Sequence, residues 1–372
     1  MKTKKRDELY CGVRQEVIEN ADPELNWENV YHFKRFVIDR YRIHKRKDVK
    51  QLPAPWTKNP ILQEYKFTNV RREHDRQTRY LIDNITNNSD LTLEDKIVNS
   101  FLFRAWNNWD TLADFGFPYP AQKLYQSKLK DRIRTKYRDL DREDPKRLWY
   151  SNAYNQGGTK CAWKFADGNK KQRPYKFGNE EEMGDSKYAD YERDIPLRPF
   201  HVGVWIGEDH IVDKLLKAKN QQEAFDIIKS LRGFADFLAY QVFVDLSYIP
   251  EFPFSENEFV VAGPGCKRGL DFIFKDKDGM TYEECIFWLR NHINGGFEGG
   301  YSLFNNSELD DVEDRHELRR VEYNPTKLFS DLPEYDRCMN VMSIENCMCE
   351  LSKYIKAVTN TGRPRNKYHP HD

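Results

Sequence analysis

The residue types with most chemical potential fall in four stretches. The first reads Trp56-Thr57-Lys58-Asn59-Pro60-Ile61-Leu62-Gln63-Glu64-Tyr65-Lys66-Phe67-Thr68-Asn69-Val70-Arg71-Arg72-Glu73-His74-Asp75-Arg76-Gln77-Thr78. It sets Trp56, Ile61, Leu62, Tyr65 and Phe67 beside a dense polar run. Polar side chains drawn inward need partners, so Thr68, Asn69, Arg72, Asp75 and Arg76 together suggest a pocket rather than a core. The second stretch is Ser255-Glu256-Asn257-Glu258. Ser255 suits a helix N-cap, and carboxylates in a first turn are kept ionised by the helix dipole, as an electrostatic stabiliser or base should be. The third is Ala262-Gly263-Pro264-Gly265-Cys266-Lys267-Arg268-Gly269-Leu270. Its three glycines free the backbone for close approach, and Lys267 with Arg268 add two cations, which together make a cradle for phosphate. The competing reading of the second and third stretches is structural: two capping glutamates, and a turn with a solvated basic pair.

The fourth stretch, Ser230 to Gln241, has the pattern of a helix, a tight turn at Gly233-Phe234-Ala235, and a second helix. Such a hairpin aims backbone N–H groups at a phosphate and binds DNA without reading its sequence; a plain helix kink at Gly233 is the alternative. Other signatures are missing. The chain has no GxxxxGK[ST], HExxH or GxSxG, and no GxGxxG following a strand. The Gly263 to Gly269 stretch is too short between its glycines for a P-loop and lacks the Ser/Thr that would hold magnesium. Seven scattered cysteines make no disulfide framework, and Cys347-x-Cys349 without a second pair is weak evidence for zinc, so neither a metal nor a cofactor is expected.

The elements that must position these residues are helical. Val30, Phe33, Val37 and Tyr41 recur at helical spacing between Asn26 and Lys47, and basic residues crowd the end of that segment. Pro53 and Pro55 impose an extended connector. Thr92-Leu93-Glu94-Asp95 opens a helix with Ile97, Phe101, Leu102 and Ala105 inward. A basic, mostly exposed helix is expected over 120–140, a surface insertion over 165–193, a short strand or helix start at 201–206, and a helical pattern over 224–245 broken at Gly233. The acidic 308–322 segment reads as a solvated helix or loop. The 362–367 tail is basic with little to hold it.

The chain of 372 residues carries 60 Lys+Arg against 60 Asp+Glu and 14% aromatic residues, which excludes both a blanket polycation and a disordered chain. A mean hydropathy of -0.87 and the lack of any 18-residue apolar run argue against a membrane span. Asp7 and Glu8 stand where a signal peptide needs apolar residues, so a cytoplasmic location is expected, the host cytoplasm if the protein is phage-encoded. The charge is unevenly spread. Residues 1–80 hold 19 basic against 12 acidic side chains and residues 301–340 hold 5 against 10, which permits one basic face able to track phosphates.

The Ser230 to Gln241 pattern resembles the hairpin of the helix-hairpin-helix DNA glycosylase superfamily, with Ala235 in place of the second glycine. Phe237 stands where bifunctional members of that superfamily carry lysine, which argues against a Schiff-base lyase, and Ser255 to Glu258 falls where their assisting carboxylate lies. The Trp56 to Thr78 run resembles the W-T-x-[DN]-P-I-L-x-x-Y-x-F-T-N-x-x-R-E-x-D-R-x-T motif of the phage and bacterial DNA base hypermodification family. That family comprises the alpha-glutamyl/putrescinyl thymine pyrophosphorylase proteins and those carrying the helical domain named for 5-hydroxymethyldeoxyuridine DNA kinase. Ala262 to Leu270 is similar to its A-G-P-G-x-x-R-G-L, and Leu351-Ser352-Lys353-Tyr354 with Gly362-Arg363-Pro364 to its C-terminal pattern. The resemblance spans about Trp27 to Tyr368, with His74 and Arg79 as small departures.

The resemblance implies a mostly α protein, a helix-hairpin-helix DNA glycosylase-like helical fold with a long surface insertion. Residues 1–160 and 200–360 would form one two-lobed catalytic domain, with 161–199 as the insertion and 361–372 as the basic tail. It further implies a base-flipping enzyme acting on modified pyrimidines in double-stranded DNA, with no membrane partner. In such pathways the hydroxymethyl group of 5-hydroxymethyluracil is phosphorylated first, and a second enzyme then replaces the phosphate with an amine. Without a P-loop, the chain is expected to be that second enzyme, taking an amino acid or putrescine as amine donor. A monofunctional glycosylase of phage defence, a 5-hydroxymethyluracil DNA kinase with its nucleotide around Gly263 to Gly269, and a non-enzymatic DNA-binding module are the alternatives. In the amine-transfer reading, Arg72, Arg76, Lys267 and Arg268 hold phosphate, with backbone N–H groups at Gly233, Gly263 and Gly265. Asp75 orients an arginine or binds the amine, Glu256 or Glu258 deprotonates it, and Trp56 and Tyr65 stack on the flipped base.

Overall fold

Short polar side chains cap several of the helices, Asn26, Asn59, Thr92, Asn220 and Asn340 among them. The computed structural model describes residues 13–126, six positions between 129 and 143, and residues 200–231, 233–293, 339–364 and 367–368. The expected insertion at 161–199 and the acidic 308–322 segment lie outside the described residues. In chain order the first helices are α1 (Gln15–Asn20), α2 (Trp27–His44) and α3 (Pro60–Glu64). They are followed by α4 (Arg76–Leu81), α5 (Leu93–Trp106), α6 (Trp109–Phe115) and α7 (Ala121–Leu124). After the undescribed stretch come α8 (Phe200–Glu208), α9 (Ile211–Leu216), α10 (Gln221–Ser230) and α11 (Asp236–Ser247). The last are α12 (Pro264–Ile273), α13 (Tyr282–Ile293) and α14 (Val341–Val358). The fold is mostly α, and among the described residues there is no strand, only the isolated bridges Leu25 to Phe274 and Tyr65 to Lys367. No helix among the described residues is long and apolar enough to cross a membrane.

The residues divide into two units, one of residues 1–75 with 255–372 and one of residues 76–254. In the second, Thr92 and Asp95 form a reciprocal capping box that opens α5, through Asp95 N–H to Thr92 Oγ1 (3.2 Å) and Thr92 N–H to Asp95 Oδ2 (3.0 Å). Asn107 closes the helix in the left-handed conformation. Helix α5 is apolar almost all round, burying Ile97, Val98, Phe101, Leu102, Phe103 and Trp106, and it packs on α11, which buries nine consecutive residues from Leu238 to Leu246. Between these helices the Arg104 guanidinium grips Asp245 with two parallel bonds of 2.6 Å and donates a third to Asn107 Oδ1 at 2.7 Å. Helices α10 and α11 are joined by a short turn in which Gly233 takes φ +87°, a conformation open to glycine at no steric cost.

In the first unit, Asn26 caps α2, whose Val30, Phe33, Phe36 and Val37 turn inward, and α12 crosses α14 at very close range. A Cβ on Gly269 would stand 2.1 Å from the Met348 carbonyl oxygen, and one on Gly265 would stand 3.1 Å from Cys349 Sγ. The two backbones therefore touch because α12 presents glycines to α14. Phe36, Phe67 and Tyr354 close an aromatic cluster at centroid distances of 5.2 to 6.1 Å. Arg14 anchors the region before α1 to Glu284 at 2.7 Å, and α13 packs on α14.

Several sequence expectations change. Of the two readings of residues 201–206, the helical one holds, since they belong to helix α8. Leu124, Leu129 and Ile133 are buried, so the 120–140 segment is not simply an exposed basic helix. The described end of the tail is held, with Tyr368 N–H donating to Glu64 O at 2.9 Å and Lys367 forming a bridge with Tyr65.

Two substitutions test this packing by urea denaturation. Gly269→Ala should cost about 3 kcal/mol, because the added methyl must push two backbones apart. Arg104→Met should cost about 3–5 kcal/mol by leaving the Asp245 carboxylate buried without its ion-pair partner. A loss below about 1 kcal/mol in either would refute the role given to that contact.

Candidate functional site

The Trp56 to Asp75 stretch is laid down by its own short-range bonds. Thr57 Oγ1 accepts the Asn59 N–H (3.1 Å), Gln63 Nε2 donates to Thr57 O (2.6 Å), and Asn59 caps α3 with Pro60 at its first position. The Asn59 Nδ2 donates to Asp39 Oδ2 of α2 (3.1 Å) and to the Tyr354 hydroxyl of α14 (2.7 Å). Further on, Asn346 Nδ2 donates to Asn69 O (2.8 Å) and Cys347 Sγ to Val70 O (3.7 Å), which lays the segment along α14.

This path carries a short 3-10 turn, Arg72–His74, into the protein, with Arg71 at 2%, Arg72 at 6% and Glu73 at 9% exposure. Arg71 Nη1 meets Glu73 Oε1 at 3.3 Å. The His74 ring stacks on His44 of α2 at 3.9 Å, and His44 Nδ1 lies 2.8 Å from Asp48 Oδ2. Arg40 of α2 donates from Nε to Phe67 O at 3.3 Å. Burial works against its charge, opposed by Asp48, Tyr368, Glu350 and Asp75.

The same unit holds a carboxyl of unusual character. Helix α14 delivers Glu345 to the N-terminus of α12, where Oε1 accepts the Gly263 N–H and the Cys349 thiol, both at 3.3 Å. Glu283 Oε1 takes the neighbouring Ala262 N–H at 3.0 Å. Burial raises the Glu345 pKa to about 7, against the lowering effects of Cys349, Gly263 and the Arg72 charge. Such a group can gain and lose a proton near neutral pH, as a general acid or base must. Burial also pushes the Cys266 and Cys349 thiols well up, so neither is a thiolate nucleophile.

The residues expected from sequence are distributed unevenly. Arg72 and Asp75 lie at the two ends of the 3-10 turn region, and Arg72 acts electrostatically on Glu345. Gly263 caps α12 and spends its N–H on Glu345, while Gly265 lies inside that helix against Cys349. The Gly263 N–H is thus engaged within the protein, and Gly265 allows close packing against Cys349. Lys267 and Arg268 are exposed on the same helix, Lys267 Nζ lying 5.5 Å from the Tyr282 ring centroid. Arg76 is exposed at the start of α4 and Gly233 lies in the α10–α11 turn, so both belong to the second unit.

No helix starts at Ser255, contrary to expectation; the 255–258 segment is a turn. Glu256 is buried and accepts Asn340 Nδ2 at 2.5 Å, and Asn257 Oδ1 takes the Val341 N–H at 3.1 Å, so the pair secures the start of α14. Glu258 is half-buried, its N–H donated to Ser255 O at 3.3 Å. Trp56 is half-buried, with Lys47 Nζ 5.2 Å above its ring and Tyr368 edge-on at 6.2 Å. Tyr65 is a core residue at 7% exposure and leaves little ring face for a base. Sequence reasoning passed over Glu345, Arg40 and Glu73. The one signal available for Glu345 was its place on the α14 face shared with Cys349, one turn later.

Comparison with known proteins adds three findings. The family model described as "5-hmdU DNA kinase, helical domain" matches residues 28–363. A "5-hmdU DNA kinase" of Bacillus phage SP10 is 24% identical over 272 residues, covering 70% of this chain but 39% of the relative, so the chain spans well under half the length of that protein. No solved structure matches.

The raised Glu345 pKa predicts a pH dependence of stability. A carboxyl that titrates near 7 when folded and near its ordinary 4.5 when unfolded stabilises fully below about pH 4.5 and loses that contribution as pH rises through 7. The loss is about 3 kcal/mol. Urea melts from pH 4.5 to 8 should show Glu345→Gln gaining by about that amount over the unsubstituted protein across this range, and parallel curves would rule the raised pKa out.

Proposed function

The chain belongs to the 5-hmdU DNA kinase helical-domain family, and from that premise we propose that it phosphorylates the 5-hydroxymethyl group of 5-hydroxymethyluracil in DNA. The observation that carries this reading is the place of Glu345, a buried carboxyl whose Oε1 accepts the Gly263 N–H at the start of α12 at 3.3 Å, and whose pKa burial raises to about 7 against the charge of Arg72. Phosphoryl transfer from a nucleoside triphosphate to an alcohol forms an O–P bond as the hydroxyl loses its proton, breaks the bond between the β- and γ-phosphates and releases the nucleoside diphosphate, and catalysis is mostly positioning and charge stabilisation. Glu345 receives that proton, and Arg72 offsets the charge on the transferring phosphoryl oxygens. The donor is a nucleoside triphosphate, whose phosphates meet the exposed Lys267 and Arg268 of α12. The base must leave the helical stack to reach groups held this deep.

The name borne by both the family model and the phage relative favours phosphoryl transfer over amine transfer. Amine transfer remains the second reading because the chain has no GxxxxGK[ST].

Incubation with a duplex containing one 5-hydroxymethyldeoxyuridine and ATP, followed by nucleoside mass spectrometry, should yield the phosphomethyl nucleoside. Glu345→Gln should slow its formation by about 10²- to 10⁴-fold. Absence of phosphate on the base sinks the proposal. An amine adduct on phosphomethyl-deoxyuridine DNA would establish the second reading, and abasic sites would establish excision.

A further inference from the structure

Three buried polar atoms around the Arg72–His74 turn have no hydrogen-bond partner: Arg40 Nη1, Asn69 Oδ1 and Glu73 Oε2. Their side chains are tied to one locality by their other atoms. Arg40 Nε reaches Phe67 O at 3.3 Å, Asn69 Nδ2 reaches His74 O at 2.9 Å, and Glu73 Oε1 meets Arg71 at 3.3 Å. Buried donors and acceptors are nearly always satisfied, so an orphan needs an explanation, and three within one cluster point to a ligand.

The chemistry of the three narrows that ligand. A bare anion would be drawn to Arg40 but repelled by the Asn69 and Glu73 oxygens, and a bare cation would face the Arg40 guanidinium. What satisfies the set is a neutral group presenting both an acceptor and a donor. The uracil ring does so, with carbonyl oxygens on either side of an N3–H. The stacked His44 and His74 rings, with Tyr41 at 6.2 to 6.3 Å from each, supply a flat aromatic neighbour of the kind flipped bases meet.

We propose that Arg40, Asn69 and Glu73 form the recognition edge for a flipped uracil-type base. Arg40 Nη1 donates to a ring carbonyl, while Asn69 Oδ1 and Glu73 Oε2 accept the N3–H between them, leaving the 5-substituent for Glu345. This rests on the reading that the chain acts on 5-hydroxymethyluracil in DNA, and adds how the ring is chosen. A cytosine ring has an unprotonated N3, which would set a lone pair against both oxygens, so 5-hydroxymethylcytosine is rejected at this edge.

The test is fluorescence anisotropy on duplexes carrying the modified base opposite an abasic site, so that no base pair must be broken. The probes are 5-hydroxymethyluracil, its N3-methyl derivative and 5-hydroxymethylcytosine. The first should bind about tenfold more tightly than the other two. Asn69→Ala and Arg40→Met, with folding checked by circular dichroism, should each reduce that preference to about threefold or less. The N3-methyl probe needs no protein variant, so a misfolded variant cannot obscure the result. Equal binding of all three probes overturns the inference. If 5-hydroxymethyluracil is still phosphorylated, the kinase reading survives alone; if it is not, both fall together.

Discussion

The crossing of α12 and α14 sets the terms for everything around it. Gly269 has no side chain, so its backbone can lie against the Met348 carbonyl, and that contact holds the N-terminus of α12 at the level of Glu345. At this distance water is excluded, and the carboxyl exchanges solvent for one backbone N–H and one thiol, weak compensation for a full charge. The proton is therefore retained to near neutral pH. The glycines, the dry interface and the proton-transfer capacity form one causal sequence, and bulk at position 269 would undo all three.

Two kinds of buried charge coexist in this chain, and the contrast separates architecture from chemistry. In the second unit Arg104 and Asp245 match fork to fork, with Asn107 receiving a further donor, and the pair joins α5 to α11. A buried pair of that completeness orders a core. In the first unit the Arg72–His74 turn region carries cations, carboxylates and stacked imidazoles, and leaves three polar atoms unsatisfied. Incomplete satisfaction has a cost to folding, and such costs concentrate where a protein keeps groups for something other than itself.

Local rules were legible in the chain. Asn26, Asn59-Pro60 and Thr92 with Asp95 start helices where their side chains say they should, and Gly233 turns the chain between two helices. Each depends on residues within a few positions of one another. What the local pattern left out depends on partners far away. Gly263 to Gly269 looked like a free cradle because nothing in the segment announces α14, and Ser255 to Glu258 looked like a helix start because its obligations to Asn340 and Val341 lie more than eighty positions on. Tyr65, read as a stacking platform, is a core residue.

By itself the sequence determined the helical class, the places where several helices begin, and the dense polar run at Thr68 to Asp75, together with a motif specific enough to identify the family. These follow from spacing and residue type, which act over short range. Only the tertiary structure decided which polar groups became chemically unusual. Glu345 is an ordinary carboxylate on an isolated helix, and Arg40 an ordinary surface cation. Packing against distant segments removed their water and changed what each can do, and desolvation is a property of the assembled interior that no local pattern encodes.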